Sequence, residues 1–245
     1  MYRVLVYNIA YGSGAPSSYT DNILKIHRYL KRPDKNIKKI SKFIDSSKAD
    51  IVGLLEIDTG SYRASKVNQA EEIGKESSHH THCLTKYGES LTGKIIPILR
   101  KQGNAILTRD KDSNGIYHYF PGGFKKLIIE LDMGSFRFFL LHLSLTKRAR
   151  KMQFAHMANL LSSKKCPVII AGDFNAFSGL SELRDMRNKL GLVNPNVDKI
   201  STYPSWNPKH QLDFILCSKE IQIKNFEIPK INLSDHLPLI MDFEI

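Results

Sequence analysis

Apolar residues in this chain come in short blocks, and most of the blocks have the length and spacing of strands. Residues 2–7 alternate Tyr-Arg-Val-Leu-Val-Tyr and read as a first strand. Residues 50–57 form a continuous apolar run that ends in an acid, as a strand buried on both faces would. Further strands are predicted at 104–108, 126–131 and 136–143, the last two joined by the turn Asp132-Met133-Gly134. Residues 167–171, 212–217, 221–228 and 237–243 complete the strand set. Helical spacing is confined to three stretches. Ile37, Ile40, Phe43 and Ile44 give residues 36–46 one apolar face, with a cap near Asp34. Residues 146–162 carry Ala149, Met152, Ala155 and Leu160 on a helix that begins with basic residues, and 183–190 form a helix stopped by Gly191.

No internal repeat, low-complexity tract or Gly/Ser linker divides the chain, so residues 1–245 are expected to form one domain. Many strands, few helices and short turns between neighbouring strands predict an α+β sandwich rather than a doubly wound parallel sheet.

Composition narrows the setting more than the chemistry. With 42% hydrophobic and 24% charged residues the chain can bury a full core. No apolar run approaches the roughly 18–20 residues of a membrane-spanning helix, so no integral membrane segment is expected. The opening MYRVLVYNIA lacks the layout of a secretory signal, and a cytoplasmic monomer is the expectation. Cys83, Cys166 and Cys217 are far apart and have no zinc-ligand or disulfide spacing, which reads as buried thiols. The net charge of +12 suits a polyanionic partner, either nucleic acid or an anionic membrane surface, although basic surface also serves solubility alone.

Polar residues recur where the apolar strands stop. Asn8 closes the first strand, Glu56 the second, and His142 the run at 138–143. Asp173 and Asn175 follow 168–171, Asp213 interrupts 212–216, and Asp235 and His236 precede the last strand. Singly, each reads as a solvated loop residue. Together they make a set of carboxylates, amides and imidazoles almost without thiols, which is the donor chemistry for a hard, oxygen-seeking cation beside a phosphate.

The segments Tyr7-Asn8, LLEID at 54–58, GNAIL at 103–107, LHL at 141–143, GDFN at 172–175, LDFIL at 212–216 and SDHLPL at 234–239 occur in order from first strand to last. They resemble the successive motifs of the endonuclease/exonuclease/phosphatase superfamily, which includes pancreatic-type deoxyribonuclease, abasic-site endonucleases, inositol polyphosphate 5-phosphatases and neutral sphingomyelinases. Thr202-Tyr203-Pro204-Ser205 also resembles a common bacterial form of its stretch. The resemblance covers nearly the whole chain. It implies a four-layer α/β/β/α sandwich of two mainly antiparallel sheets flanked by helices, and Mg²⁺ as cofactor with Mn²⁺ as a substitute.

It also implies roles. Glu56 would bind the metal, with Asn8 and Asp235 completing or supporting its oxygen shell. Asp173 and Asn175 would hold the attacking water, Asp173 as base. His236, oriented by Asp213, and His142 would donate to phosphate oxygens. Asn104 stands in a matching motif as a substrate contact or a structural amide.

Other features carry less. His79, His80, His82 and Cys83 lack a second ligand group and read as strand or loop. The run Lys147-Arg148-Ala149-Arg150-Lys151 reads as a solvated helix face, or, so close to His142, as a grip on a polyanionic substrate through Lys147 and Arg148. Residues 10–32 form a long insertion whose Tyr11, Tyr19 and Tyr29 could stack on a base or pack the loop, with His27-Arg28 beside Tyr29. Tyr62-Arg63 and Lys86-Tyr87-Gly88 could line the same face.

The expected activity is therefore Mg²⁺-dependent hydrolysis of a P–O bond by in-line attack of water, with a nucleic-acid phosphodiester the first choice of substrate. The alternative is a phosphatase or phosphodiesterase acting on a phospholipid head group or inositol phosphate. A non-catalytic binding module is disfavoured, because the acid, the water-holding residues and the terminal histidine are all present.

Overall fold

The computed structural model describes residues 1–16, 18, 34–85, 101–123, 125–163 and 165–245. Two sheets are built from them. The first has the order β10 (Gln222–Glu227), β11 (Leu239–Glu244), β1 (Tyr2–Asn8), β2 (Ile51–Asp58), β4 (Gln102–Thr108), β3 (His80–Thr85). The second runs β5 (Asn114–Tyr119), β6 (Leu127–Asp132), β7 (Arg137–His142), β8 (Val168–Asp173), β9 (Asp213–Cys217). Among the described residues the parallel pairs are β1–β2 and β7–β8, and every other pairing is antiparallel. Each parallel pair is joined by a helix, α1 (Asp34–Ser47) in the first sheet and α3 (Lys147–Ser162) in the second, as a parallel crossover requires. Two shorter helices, α2 (Gln69–Glu76) and α4 (Arg184–Leu190), lie beside them.

Strand alternation explains the layering. Val4, Val6, Phe138 and Leu140 point into one apolar layer between the sheets, together with Ile106, Ile129, Ile169, Ile215 and Met241. Their neighbours face the other way: Leu5 and Tyr7 pack with Ile37, Ile40 and Ile44 of α1, while Phe139, Leu141 and Ile170 pack with Phe154, Met157 and Leu161 of α3. Strands covered on both faces read as continuous apolar runs, which is why they stand out in the sequence. Gly53 leaves room for the second sheet, since a Cβ there would lie 2.6 Å from Leu140 Cδ1. This is the four-layer sandwich that the motifs implied.

The helix α2 and the edge strand β5 lie outside the predicted set, and β3 forms where residues 79–83 read as strand or loop. The helix expected at 183–190 is a 3₁₀ turn, Gly179–Leu183, leading into α4, and Gly191 ends it in the left-handed region at φ 63°. Of the three free thiols Cys217 is buried, whereas Cys83 and Cys166 are partly exposed. His79 is a packing residue, its two ring nitrogens 2.9 Å from Ser77 Oγ and 2.9 Å from the Ala49 carbonyl. None of the described helices is long and apolar enough to cross a membrane. Tyr19, His27, Arg28, Tyr29 and Lys86-Tyr87-Gly88 lie outside the described residues.

The first and last strands are tied by a two-pronged ion pair: Arg3 Nε and Nη2 donate to Asp242 Oδ1 and Oδ2 at 2.6 and 2.8 Å. Hydrogen bonding from Arg3, opposed by burial and aided by its charge, holds the Asp242 carboxyl below its usual range. The folded chain therefore binds that proton less readily than the unfolded one. The stabilisation is complete above about pH 4 and disappears as pH falls through the folded pKa. Because Arg3 is one-third exposed, Asp242→Asn should cost no more than about 1 kcal/mol at pH 7. In urea denaturation the gap from wild type should close toward about pH 2; a gap that persists there would contradict this account.

Candidate active site

Three adjacent strands of the second sheet end in a row of functional side chains. His142 is paired with Asp173 across β7–β8, and Asp173 with Asp213 across β8–β9. All three are at most 2% exposed. Opposite them stand Asn8 at the end of β1 and Glu56 on β2. Asn8 Nδ2 donates to Asp173 Oδ2 at 3.2 Å, a hydrogen bond that crosses from one sheet to the other.

Local backbone shapes aim these groups. Glu56 sits at an irregularity in the β2–β4 ladder, where the pairing skips from Leu54↔Ala105 to Ile57↔Gly103. Its φ of 54° is left-handed, which is uncommon for a residue other than glycine and asparagine. Asn104, facing the gap, accepts the Glu56 N–H on Oδ1 at 3.3 Å, and its Nδ2 is buried without a hydrogen-bond partner. Asn175 is also left-handed at φ 49°; its N–H donates to Asp173 Oδ1 at 2.9 Å and its Nδ2 to the Leu143 carbonyl at 2.9 Å. Gly172 has φ 140°, and a Cβ there would stand 1.9 Å from the Leu141 carbonyl oxygen, so the glycine of GDFN is a steric necessity.

His236 approaches from the loop before β11. Its Nδ1 lies 2.8 Å from Asp213 Oδ2 and its Nε2 3.9 Å from Asp173 Oδ2. Thr202 Oγ1 donates to the same Asp213 oxygen at 2.6 Å, and the Tyr203 ring packs on the imidazole at 4.8 Å between centroids. The 202–205 segment also fixes the loop: Ser205 N–H donates to the Asp235 carbonyl at 2.7 Å, its Oγ donates to the Ser234 carbonyl at 2.6 Å, and Leu237 N–H donates to the Thr202 carbonyl at 2.9 Å.

The charges sort into two groups. Burial would raise the Asp173 carboxyl, but His142, His236 and Lys125 outweigh it and hold the group well below the usual range. Burial also opposes charge on His236, yet Asp213, Asp173 and Asp235 prevail and raise its pKa to about 10. An ionised Asp173 thus faces an imidazolium. On the other side burial pushes Asp235 upward; the charge of His236 pulls it back in part, and the neighbouring Glu56 carboxylate adds to the push.

That second group has the donor chemistry to hold a cation. Glu56, Asp235 and the amide oxygen of Asn8 are oxygen donors, and a hard dication would relieve the mutual repulsion of the two half-buried acids. The ligand atoms of Asp173, Asp213 and His236 also lie within 4.8 Å of one another. His236, however, has Nδ1 engaged by Asp213 and is protonated at neutral pH, so it offers the site a proton rather than a lone pair.

Lys125, in the loop before β6, was not among the residues the motifs pointed to. Its ammonium contacts His142 Nε2 and lies 3.8 Å from Glu56 Oε1, while His142 Nε2 is 3.1 Å from Asp173 Oδ2. One of two adjacent lysines in a basic chain gives no sequence signal. Lys147 and Arg148 are exposed on the first turn of α3, and Lys147 lines a groove of about 410 Å³ between α3 and α4 with Lys151, Phe154, Met186 and Lys189.

The steric argument at Gly172 is open to test. Gly172→Ala should destabilise the fold by at least about 2 kcal/mol, read by thermal or urea unfolding. Unchanged stability would mean that the Leu141–Gly172 contact relaxes freely.

Comparison with known proteins bears on the family and the fold. The profile of the Endonuclease/Exonuclease/phosphatase family matches residues 5–236. A UPF0294 protein of Vibrio parahaemolyticus is 28% identical over 100 residues, a match spanning 38% of this chain and only about a third of that protein (33%). The human nocturnin catalytic domain superposes with a TM-score of 0.69 at 19% identity, over 99% of this chain and 94% of its own. A mannosyl-6-phosphatase of Bacteroides thetaiotaomicron gives 0.69 at 15% identity with both chains fully covered (100% and 100%). An endonuclease/exonuclease/phosphatase from Beutenbergia cavernae gives 0.72 at 16% identity, over 100% of this chain and 71% of its own. At these identities the structural likeness shows a shared fold, whereas the profile match runs from the first strand to His236, just ahead of the last strand. The chain belongs to the endonuclease/exonuclease/phosphatase family, whose members are phosphoesterases.

Proposed function

We propose that the protein is a Mg²⁺-dependent phosphodiesterase that hydrolyses nucleic acid by in-line attack of water. The observation that carries the hydrolytic reading is the ionised Asp173 held between an imidazolium, His236, and a donor set of two repelling acids, Glu56 and Asp235. Glu56, Asp235 and Asn8 would hold the ion, which when bound neutralises charge growing on a phosphoryl oxygen.

The remaining work falls to side chains. Asp173 accepts the proton of the attacking water, and ionisation at neutral pH is what that role requires. Asn175 is anchored by its N–H and by one Nδ2 hydrogen, and its Oδ1 accepts a hydrogen bond from the same water. His236 Nε2 donates to a non-bridging phosphate oxygen, with Asp213 and Thr202 fixing the ring. Lys125 and His142 supply positive charge and a donor between the Glu56 and Asp173 sides. Asn104 sets the Glu56 backbone, and Lys147 and Arg148 add to the positive field met by an approaching polyanion.

Nucleic acid is favoured over a lipid head group or sugar phosphate by two features. The chain carries a net charge of +12. Rings also stand next to the catalytic residues: Tyr203 rests on His236, and exposed Phe177, two positions after Asn175, packs against His210 at 5.6 Å. Flat rings flanking a phosphate site suit stacked bases.

Nicking of supercoiled plasmid by the purified protein, with Mg²⁺ and with chelator, tests the reading. Nicking should require the metal, and Asp173→Ala should lower its rate by about 10²–10⁴-fold without unfolding the protein. His236→Ala should lower it by about 10²–10³-fold. Activity retained in Asp173→Ala would overturn the mechanism. Absence of nicking alongside metal-dependent hydrolysis of a sugar or lipid phosphate would overturn the substrate.

A further inference from the structure

The inner face of the first turns of α3 is polar where a packing helix is normally apolar. Arg150 and Gln153 are 3% and 1% exposed, one helical turn apart, on the face that packs against the second sheet. Burying an arginine and a glutamine is costly unless every polar atom finds a partner. Here the partners lie in the segment after His142, at Lys125, and in the 3₁₀ turn that holds Glu182.

Arg150 Nη1 donates to the carbonyls of Ser144 and Leu145 at 3.2 and 2.5 Å, directly after His142 and Leu143. Its Nε and Nη2 donate to Glu182 Oε2 at 2.9 and 2.7 Å, in an ion pair whose side chains are 4% and 5% exposed. The other Glu182 oxygen accepts the Ser178 N–H at 3.0 Å, in the loop that follows Asp173 and Asn175. Gln153 works on the third loop. Its Oε1 accepts the Ser144 N–H at 2.9 Å, and its Nε2 donates to the Lys125 carbonyl at 2.8 Å. Two side chains of one helix therefore fasten the backbone beside His142, beside Asn175 and at Lys125.

We propose that Arg150 and Gln153 are positioning residues, which hold His142, Asn175 and Lys125 in register for phosphoester hydrolysis without touching the substrate. The basic run at the start of α3 thereby divides: Lys147, Arg148 and Lys151 face outward, and Arg150 points inward. The inference does not depend on which phosphoester is cleaved. A misplacement of about 1 Å in such loops costs a rate on the order of 10²-fold while leaving substrate contacts formed.

Hydrogen exchange read by mass spectrometry tests it without any substrate. Gln153→Leu should speed exchange at least about tenfold in 122–125 and 143–146, and Arg150→Met in 143–146 and 174–182. Residues 8–10 and 234–237, held by other bonds, should keep wild-type rates in both variants. Arg150→Lys, which can satisfy Glu182 or the carbonyls but not both, should give an intermediate effect and guards against a Met variant that fails to fold. With bis(4-nitrophenyl) phosphate and Mg²⁺, kcat should fall about 10- to 100-fold with KM within about threefold, and Arg150→Lys should recover part of kcat. Exchange that rises uniformly over the chain, or that is unchanged in these loops, would overturn the proposal. So would folded Arg150→Met or Gln153→Leu with wild-type kcat.

Discussion

The apolar layer between the sheets fixes how the ends of β1 and β2 stand relative to those of β7, β8 and β9. Val4 and Val6 on one side and Phe138, Leu140 and Ile169 on the other lock that relation, and Gly53 lets the sheets approach at Leu140. Parallel pairing puts the polar ends of β1 and β2 together and those of β7 and β8 together, and the Asn8–Asp173 and His142–Glu56 contacts bring the two sets to one edge of the sandwich. The two halves touch chemically through the bond from Asn8 to Asp173, and again where Lys125 and His142 approach Glu56 at 3.8 and 3.9 Å. A shift of one residue in either strand would turn its terminal side chain to the opposite face.

From that juxtaposition follows a division of labour. The first sheet contributes Glu56, and with Asp235 beside it supplies acids that repel one another. The second contributes Asp173 and Asp213, which together with His236 form an alternating acid–imidazole array. Keeping a carboxylate ionised in a dry site takes neighbours that favour its charged form, and Asp173 has three in His142, His236 and Lys125. The left-handed backbones of Glu56 and Asn175 belong to the same design: both residues are turned out of regular strand geometry at the place where the chemistry is concentrated.

Much of this was legible in the sequence, for a physical reason. Strands covered on both faces leave continuous apolar runs, so a polar residue at the end of a run is conspicuous, and Asn8, Glu56, His142, Asp173 and Asp213 all stand out in that way. The edge strand β5 is half-exposed, with Tyr117 and Tyr119 on view, and α2 has only Ala70 and Ile73 as its buried apolar contacts, so neither shows a clear period. Lys125 was invisible because nothing local distinguishes a lysine aimed into a site from its solvated neighbour Lys126. The inward turn of Arg150 was hidden for the same reason, since a run of basic residues carries no mark of which one the tertiary fold will bury.

Calorimetric titration of Mg²⁺ into the wild-type chain, Glu56→Gln and His236→Gln tests most directly whether the two halves are distinct. The account predicts that Glu56→Gln loses metal binding, with affinity falling at least about 10-fold, whereas His236→Gln binds the ion as the wild type does. Equal loss in both variants would place the ion among Asp173, Asp213 and His236, and would contradict the separation of metal and proton chemistry on which the account rests.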